Sequence, residues 1–265
     1  MMRKTFSSLG CSELDLPDIV ALARRHGIDT LELRAVNGTT DLPAFLAERF
    51  GSPESWAEWL RGQGVTVCAL DTSFRLIEGD AAARDELLAF VPWAEAAGVP
   101  WMRIFDGGKT GDASEIARAA QVLAWWRAQQ EENGWSVGLM IETHDALVTS
   151  EKLAALFAAA PDARLLWDAH HTWKKGGEDL STTWEVVRDR TVHIHVKDSV
   201  SIPSARHPFT YVPLGDGEFP MQPLLAMLSK SGYAGMLSLE WERLWHPYLA
   251  PLDETLRLAA ERRWW

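Results

Sequence analysis

Positive charge is scarce in this chain. Its 26 Lys and Arg are outnumbered by 37 Asp and Glu, for a formal net charge of −11. A field of that sign repels polyanions, so nucleic acid and anionic membranes are not expected as partners. Cysteine is nearly missing: Cys11 and Cys68 are the only two in 265 residues, too few for a disulfide framework. No stretch approaches the ~20 uninterrupted apolar residues of a membrane span. The opening MMRKTFSSLGCSELDL has no apolar run of the signal-peptide kind. A cytoplasmic location is the resulting expectation. There is no Ser/Pro/Gly linker and no low-complexity tract to divide the chain, and no G-x-G-x-x-G after an early strand, which weakens the case for an open doubly wound sheet.

What is present is a core-forming composition, 47% hydrophobic and 24% charged, with 14 tryptophans. Pairs such as Trp125-Trp126 and Trp264-Trp265 are expected chiefly in core or interface packing, which leaves room for a homodimer. One supersecondary unit recurs: a short apolar run, a turn, then an amphipathic stretch that stops at Gly. Strands are predicted at Phe6–Leu9, Ile28–Arg34, Val65–Thr72, Trp101–Phe105, Ser136–Glu142, Arg164–Asp168, Thr191–Lys197 and Met236–Trp241. Helices are predicted at Pro17–His26, from Ser52-Pro53 to near Gly64, and at Asp80–Ala97, Ser114–Asn133, Ser150–Ala159, Leu180–Val187, Met221–Ser231 and Leu252–Arg262. Pro just inside a helix start and Gly just past its end mark several of these boundaries. Residues 198–219 are read as one long loop. Strands alternating with helices imply parallel pairing. About eight such units in ~250 residues close into a single-domain α/β structure, a (β/α)8 TIM barrel spanning residues 1–265.

Four late strands run apolar and then end in a potential metal ligand: Leu139-Met140-Ile141-Glu142, Leu165-Leu166-Trp167-Asp168, Val192-His193-Ile194-His195 and Leu237-Ser238-Leu239-Glu240. A charge ending an apolar strand is costly to bury unless it is paired or bound to metal. The C-terminal ends of barrel strands converge on one mouth, where active sites form. Pairing of each acid with a nearby Arg or Lys would account for one such residue more readily than for all four. Three carboxylates and an imidazole suit one divalent ion, Mn2+ or Mg2+ first, with Co2+ and Zn2+ also accommodated. The run Gly107-Gly108-Lys109-Thr110 imitates the tail of a phosphate-binding loop, but Arg103 stands where the first Gly would fall, so it is read as a turn. His246, in Trp245-His246-Pro247, is read first as a surface or packing histidine, with a place in the lining of the site as the alternative. Trp241 is expected to face the helices by strand alternation.

Five segments together carry a family resemblance: Ile141-Glu142-Thr143-His144, Trp167-Asp168-Ala169-His170-His171, His193-Ile194-His195-Val196-Lys197-Asp198, Gly215-Asp216-Gly217 and Leu239-Glu240-Trp241-Glu242. Glu32–Arg34 fits as well. In these the chain resembles the xylose-isomerase-like TIM-barrel superfamily. Its members include sugar-phosphate isomerase/epimerase-like proteins, ketose 3-epimerases, inosose and dehydroshikimate dehydratases, and endonuclease IV. The resemblance implies Glu142, Asp168, His195 and Glu240 as metal ligands, with Glu142 and Glu240 also catalytic. It implies His171, with His170 as competitor, Lys197, Arg206, His144, Glu32 and Arg34 as substrate contacts. For Lys197, an ion pair with Asp198 or another carboxylate is the alternative.

The reaction implied is isomerisation or epimerisation of a small sugar, ketose or polyol-derived substrate, by proton abstraction next to a metal-bound carbonyl. Glu142 and Glu240, on the fifth and eighth strands, would face each other across the mouth. Dehydration of a cyclic polyol or keto acid shares the same first step and is the alternative. A DNA-repair phosphodiesterase fits less well. Its three-metal site needs His where this chain has Asp71-Thr72-Ser73 and Asp106, and an Asp-x-His where it has Ala205-Arg206-His207. A barrel that only binds sugar is disfavoured by the intact ligand set.

Overall fold

The computed structural model describes residues 2–264. Its wall consists of parallel strands β1 (Arg3–Phe6), β2 (Thr30–Leu33), β3 (Thr66–Arg75), β4 (Trp101–Phe105), β5 (Gly138–Glu142), β6 (Leu165–Asp168) and β7 (Thr191–Val196). After a separate antiparallel hairpin, β8 (Asp198–Val200) and β9 (Thr210–Val212), the wall is completed by β10 (Met236–Leu239). The pairing order is β1-β10-β7-β6-β5-β4-β3-β2. A Ser7–Glu32 bridge and the Thr5 hydroxyl, donating to the Thr30 carbonyl at 2.8 Å, draw β1 and β2 together and nearly close the ring. The architecture is the single-domain (β/α)8 barrel implied by the strand-helix alternation.

The helices are α1 (Leu16–Arg25), α2 (Leu42–Phe50), α3 (Pro53–Gln63), α4 (Ala81–Leu88), α5 (Val91–Ala97), α6 (Ala113–Asn133), α7 (Ser150–Ala159), α8 (Ala169–Lys174), α9 (Leu180–Val187), α10 (Met221–Lys230) and α11 (Leu252–Glu261). Their ends follow local chemistry. The Asp15 and Asp112 side chains accept N–H groups at the starts of α1 and α6, filling donors that have no partner within the helix. No helix among the described residues is long and apolar enough to cross a membrane.

Several expectations need correction. The first strand lies at Arg3–Phe6, ahead of the expected Phe6–Leu9, because Ser7 caps a 3-10 turn over Ser8–Cys11. The Ser8 hydroxyl in that turn accepts the N–H groups of Arg34 and Ala35. The single helix expected over Asp80–Ala97 is two, α4 and α5, with Pro92 in the first turn of the second. Proline removes a helix donor and clashes with the preceding turn, so the helix stops one turn earlier. Helices α2 and α8 were not anticipated, and the loop at 198–219 contains the β8–β9 hairpin. Both cysteines are free and buried. Trp56, Trp93, Trp126, Trp167, Trp184 and Trp241 are buried in the main core, the role expected of most tryptophans; Trp265 lies outside the described residues.

Side chains alternate along each strand. Ile141, Trp167, Ile194 and Leu239 belong to the main core between strands and helices. Their neighbours Met140 and Leu166 join Cys68, Ala69 and Met236 in a separate apolar cluster. That cluster plugs the barrel interior. Two residues further along β5 and β6 stand Glu142 and Asp168, and four beyond Met236 stands Glu240. The plug therefore forms the floor of a buried ionisable layer.

Candidate metal centre and active site

Glu142 and Asp168 end β5 and β6, His195 is the penultimate residue of β7, and Glu240 follows β10 directly. Strand register sets Asp168 and Ser238 on either side of His195. One donor atom from each of Glu142, Asp168, His195 and Glu240 lies within 4.8 Å of the others. His195 Nδ1 is 3.4 Å from Glu240 Oε2 and 3.6 Å from Glu142 Oε1. Two donors that each sit ~2.1 Å from a shared ion lie at most ~4.2 Å apart, so these spacings fit. Glu142 Oε1 and His195 Nδ1 are buried without a hydrogen-bond partner, a costly state for polar atoms. The four residues therefore fit a divalent ion in both geometry and donor chemistry.

The layer beneath orients this ring. Glu32 lies 2.9 Å from His195 Nε2 and 2.6 Å from His193 Nε2. A carboxylate only accepts, so His195 Nε2–H donates to it and Nδ1 is left for the ring. Burial opposes the charge on Glu32, but His195 and His193 hold its carboxyl well below the usual range. Glu32, expected as a substrate contact, is fully buried under His195 instead. Arg103 is also buried; its Nε lies 3.2 Å from Glu142 Oε2 and its Nη2 3.7 Å from Asp71.

Lys197 Nζ is 2.8 Å from both Asp168 Oδ2 and Glu242 Oε1 and also contacts Glu240. Burial alone would lower its pKa, but Asp168, Glu240 and Glu242 raise it well above the ordinary lysine value. Its partners do not include Asp198. That carboxylate accepts the N–H groups of Ser199, Gly215, Gly217 and Phe219 and so roots the hairpin. A Cβ at Gly217 would fall 2.1 Å from Asp198 Oδ1, so the root requires glycine there.

The two adjacent histidines separate clearly. His171 lies 3.2 Å from both Asp168 Oδ2 and the Thr143 carbonyl, and it lines an open cavity of about 500 Å³. Burial, with Lys175 and Lys197 nearby, holds it well below the usual imidazole range, so it is neutral. His170 pairs with the Ser199 hydroxyl at 2.8 Å among Trp173, Phe209, Tyr211 and Phe219, away from the cavity. Arg34, His144 and Arg206 line the cavity. Arg34 donates to the Ser73 hydroxyl at 3.0 Å, and Arg206 to the Trp245 carbonyl at 3.3 Å. Burial lowers the pKa of His144, but Asp145, 2.8 Å from its Nδ1, and Glu142 raise it above the ordinary value.

Lining residues with no role assigned from the sequence include Glu242, Tyr211, Lys175 and His207. Glu242 was legible, since alternation places it on the same side as Glu240 with Trp241 opposite. Trp241 does face away, donating from Nε1 to the Ala250 carbonyl at 2.8 Å. His246 takes the alternative place, lining the cavity 3.6 Å from Glu242. Arg103 had a signal too, as a lone charge in an apolar strand that needs a buried partner.

The Gly107–Thr110 turn is no phosphate cradle, because the N–H groups of Lys109, Thr110 and Gly111 all donate to the Glu115 carboxylate. Burial opposes that carboxylate, but the three donors hold its pKa below the usual value. Glu115→Ala is expected to cost about 1–3 kcal/mol at neutral pH, since it orphans these donors. A depressed folded pKa gives stability that is full above the unfolded value and lost as pH falls through the folded one. The difference from wild type, read by urea unfolding, should therefore narrow below about pH 4. A gap that does not change with pH would contradict this role.

A model of the xylose isomerase-like TIM barrel family matches residues 20–265. The chain belongs to this family. Solved structures of similar fold include the probable 3-DHS dehydratase AsbF, involved in petrobactin synthesis, from Bacillus anthracis (TM-score 0.76, 16% identity, covering 98% of this chain and 99% of that one). The IOLI protein with a bound zinc atom has a TM-score of 0.75 at 18% identity over 98% and 96% of the two chains. The 3-keto-D-glucoside 4-epimerase YcjR from E. coli has a TM-score of 0.71 at 12% identity over 99% of each chain. At these identities the likeness is one of fold. No curated protein matches the chain by sequence.

Proposed function

We propose that this family member is a divalent-metal-dependent isomerase or epimerase of a small sugar, ketose or polyol-derived substrate, which removes a proton next to a carbonyl. The observation carrying this reading is the convergence of Glu142, Asp168, His195 and Glu240 in one buried cluster, next to His171 and Glu242 of the cavity wall. A divalent ion held by these four residues would supply Lewis acidity toward a substrate carbonyl, Mn2+ or Mg2+ best suiting the oxygen-rich set.

The chain's own residues divide the remaining work. Glu142 is tied to Arg103, and burial of its charge is outweighed by that guanidinium and by His195; it stays a carboxylate. Burial likewise opposes Glu240, while Lys197 and His195 hold it below the usual range, so it is ionised, the state in which a carboxylate takes up a proton. The Lys197 ammonium stands beside it to offset changing charge. In neutral His171 the Nδ1–H faces the Thr143 carbonyl and Asp168, so Nε2 is left to accept a hydrogen bond from a substrate hydroxyl, and Phe105 and Trp245 give the cavity apolar wall. Dehydration is the second reading, favoured by His144: raised in pKa and on the cavity, it suits a donor of the proton that a departing hydroxide requires.

The test is turnover of a panel of ketoses, inososes and keto acids with added Mn2+ in D2O, followed by NMR. Deuterium is expected at the carbon next to the carbonyl. Turnover without deuterium entry, together with a normal rate for substrate deuterated at that carbon when chemistry is rate-limiting, would overturn proton abstraction in favour of hydride shift.

A further inference from the structure

A second group of ligand-type side chains meets at the cavity rim. His207 comes from the hairpin loop, Glu242 follows β10, and His246 stands four residues later; one donor atom of each lies within 4.8 Å of the others. The two imidazole centroids are 5.3 Å apart. His246 Nε2 lies 3.6 Å from Glu242 Oε2, too far for a hydrogen bond and within the ~4.2 Å that two ligands of one ion can span. Lys197 and the Tyr211 hydroxyl both donate to Glu242 Oε1 at 2.8 Å. They fix the carboxylate through Oε1 and leave Oε2 for His246. Among the described residues, the His207 imidazole has ring contacts alone, and that of His246 adds only the approach to Glu242.

We propose that His207, Glu242 and His246 form a second, outer site for a borderline divalent ion, Zn2+ foremost. Two imidazoles and one carboxylate with an open fourth position make a zinc-type ligand set. The inner ring has one imidazole and three carboxylates, which suits harder ions. The Irving–Williams order and ligand softness then sort the metals: Mn2+ is retained at the inner ring, and Zn2+ at both sites. An ion at the rim would clasp the hairpin loop to the segment leading into α11, over the cavity. The outer site shares no ligand with the inner one and does not depend on the catalytic reading.

The experiment uses the full chain, stripped with chelator, reloaded with Mn2+ or Zn2+, desalted and analysed for metal. Wild type is expected to retain near one Mn2+ and near two Zn2+. His207→Ala and His246→Ala should each lower Zn2+ to near one and leave Mn2+ at one. His207 is only partly buried, so its variant keeps the test sound if loss of buried His246 disturbs folding. Loading with Co2+ should give a visible absorption band that His207→Ala reduces. A wild-type Zn2+ count near one that His207→Ala leaves unchanged, or a second Zn2+ that survives both substitutions, would overturn the outer site. Absence of Mn2+ binding beside a His207-dependent Zn2+ would remove the inner reading alone.

Discussion

Glu240→Gln is expected to lower turnover by about 10²–10⁴-fold, the usual cost of removing a general base. Glutamine keeps the size of the side chain and one oxygen donor while losing the charge and the capacity to take a proton. Lys197 would still have Asp168 and Glu242, each 2.8 Å away, so the buried ammonium is not left alone. Mn2+ analysis of the variant should still find near one ion per chain, which separates loss of chemistry from loss of metal. Near wild-type turnover with metal bound would exclude Glu240 as the base, and Glu142 would become the candidate.

Arg103→Met should cost about 3–5 kcal/mol of unfolding free energy in the metal-free protein, the range for stranding a buried charge. The guanidinium is 1% exposed, lies 3.2 Å from Glu142 and 3.7 Å from Asp71, and donates to the Thr72 carbonyl at 3.0 Å. Methionine retains much of the apolar stem but supplies no charge and loses the guanidinium that lies 4.0 Å from the Phe105 ring centroid. Asp71 is already pushed well up by burial and by Glu32, so most of the loss falls on Glu142. A divalent ion beside Glu142 would restore positive charge there, and the deficit should shrink on Mn2+ loading. Denaturant midpoints with and without Mn2+ measure both effects. A deficit that is negligible, or indifferent to metal, would show that Arg103 does not neutralise the ring.

Local chemistry determined which parts of this molecule could be read from its residues. The predicted bounds of Trp101–Phe105, Ser150–Ala159 and Leu180–Val187 coincide with β4, α7 and α9, and Pro100, Gly107 and Pro161 punctuate the flanks of the first two. Phe6–Leu9 misled because a short apolar run does not distinguish a strand from a buried turn. Here Ser7 and Ser8 spend their hydroxyls on backbone N–H groups. The convergence of four strand ends followed from barrel geometry applied to an alternating pattern. The identity of the cavity-facing histidine did not, because α8 begins at Ala169 and rotates His170 and His171 to different sides on the helical period. His207 and Tyr211 were illegible for a related reason: their positions depend on a hairpin whose pairing partners are set by tertiary contacts.

The Asp198 root of that hairpin has a consequence for how this scaffold can diversify. One carboxylate, gathering four backbone amides, fixes both ends of the excursion independently of what lies between them. The tip, residues 202–208, carries His207 and Arg206 to the cavity rim while contributing nothing to the barrel strands or, unlike its neighbour Phe209, to the core. Its length and composition are thus uncoupled from the integrity of the fold. Swapping tips between such barrels, with Asp198 and Gly217 retained, is a modular route to new selectivity that leaves the cluster at the strand ends intact.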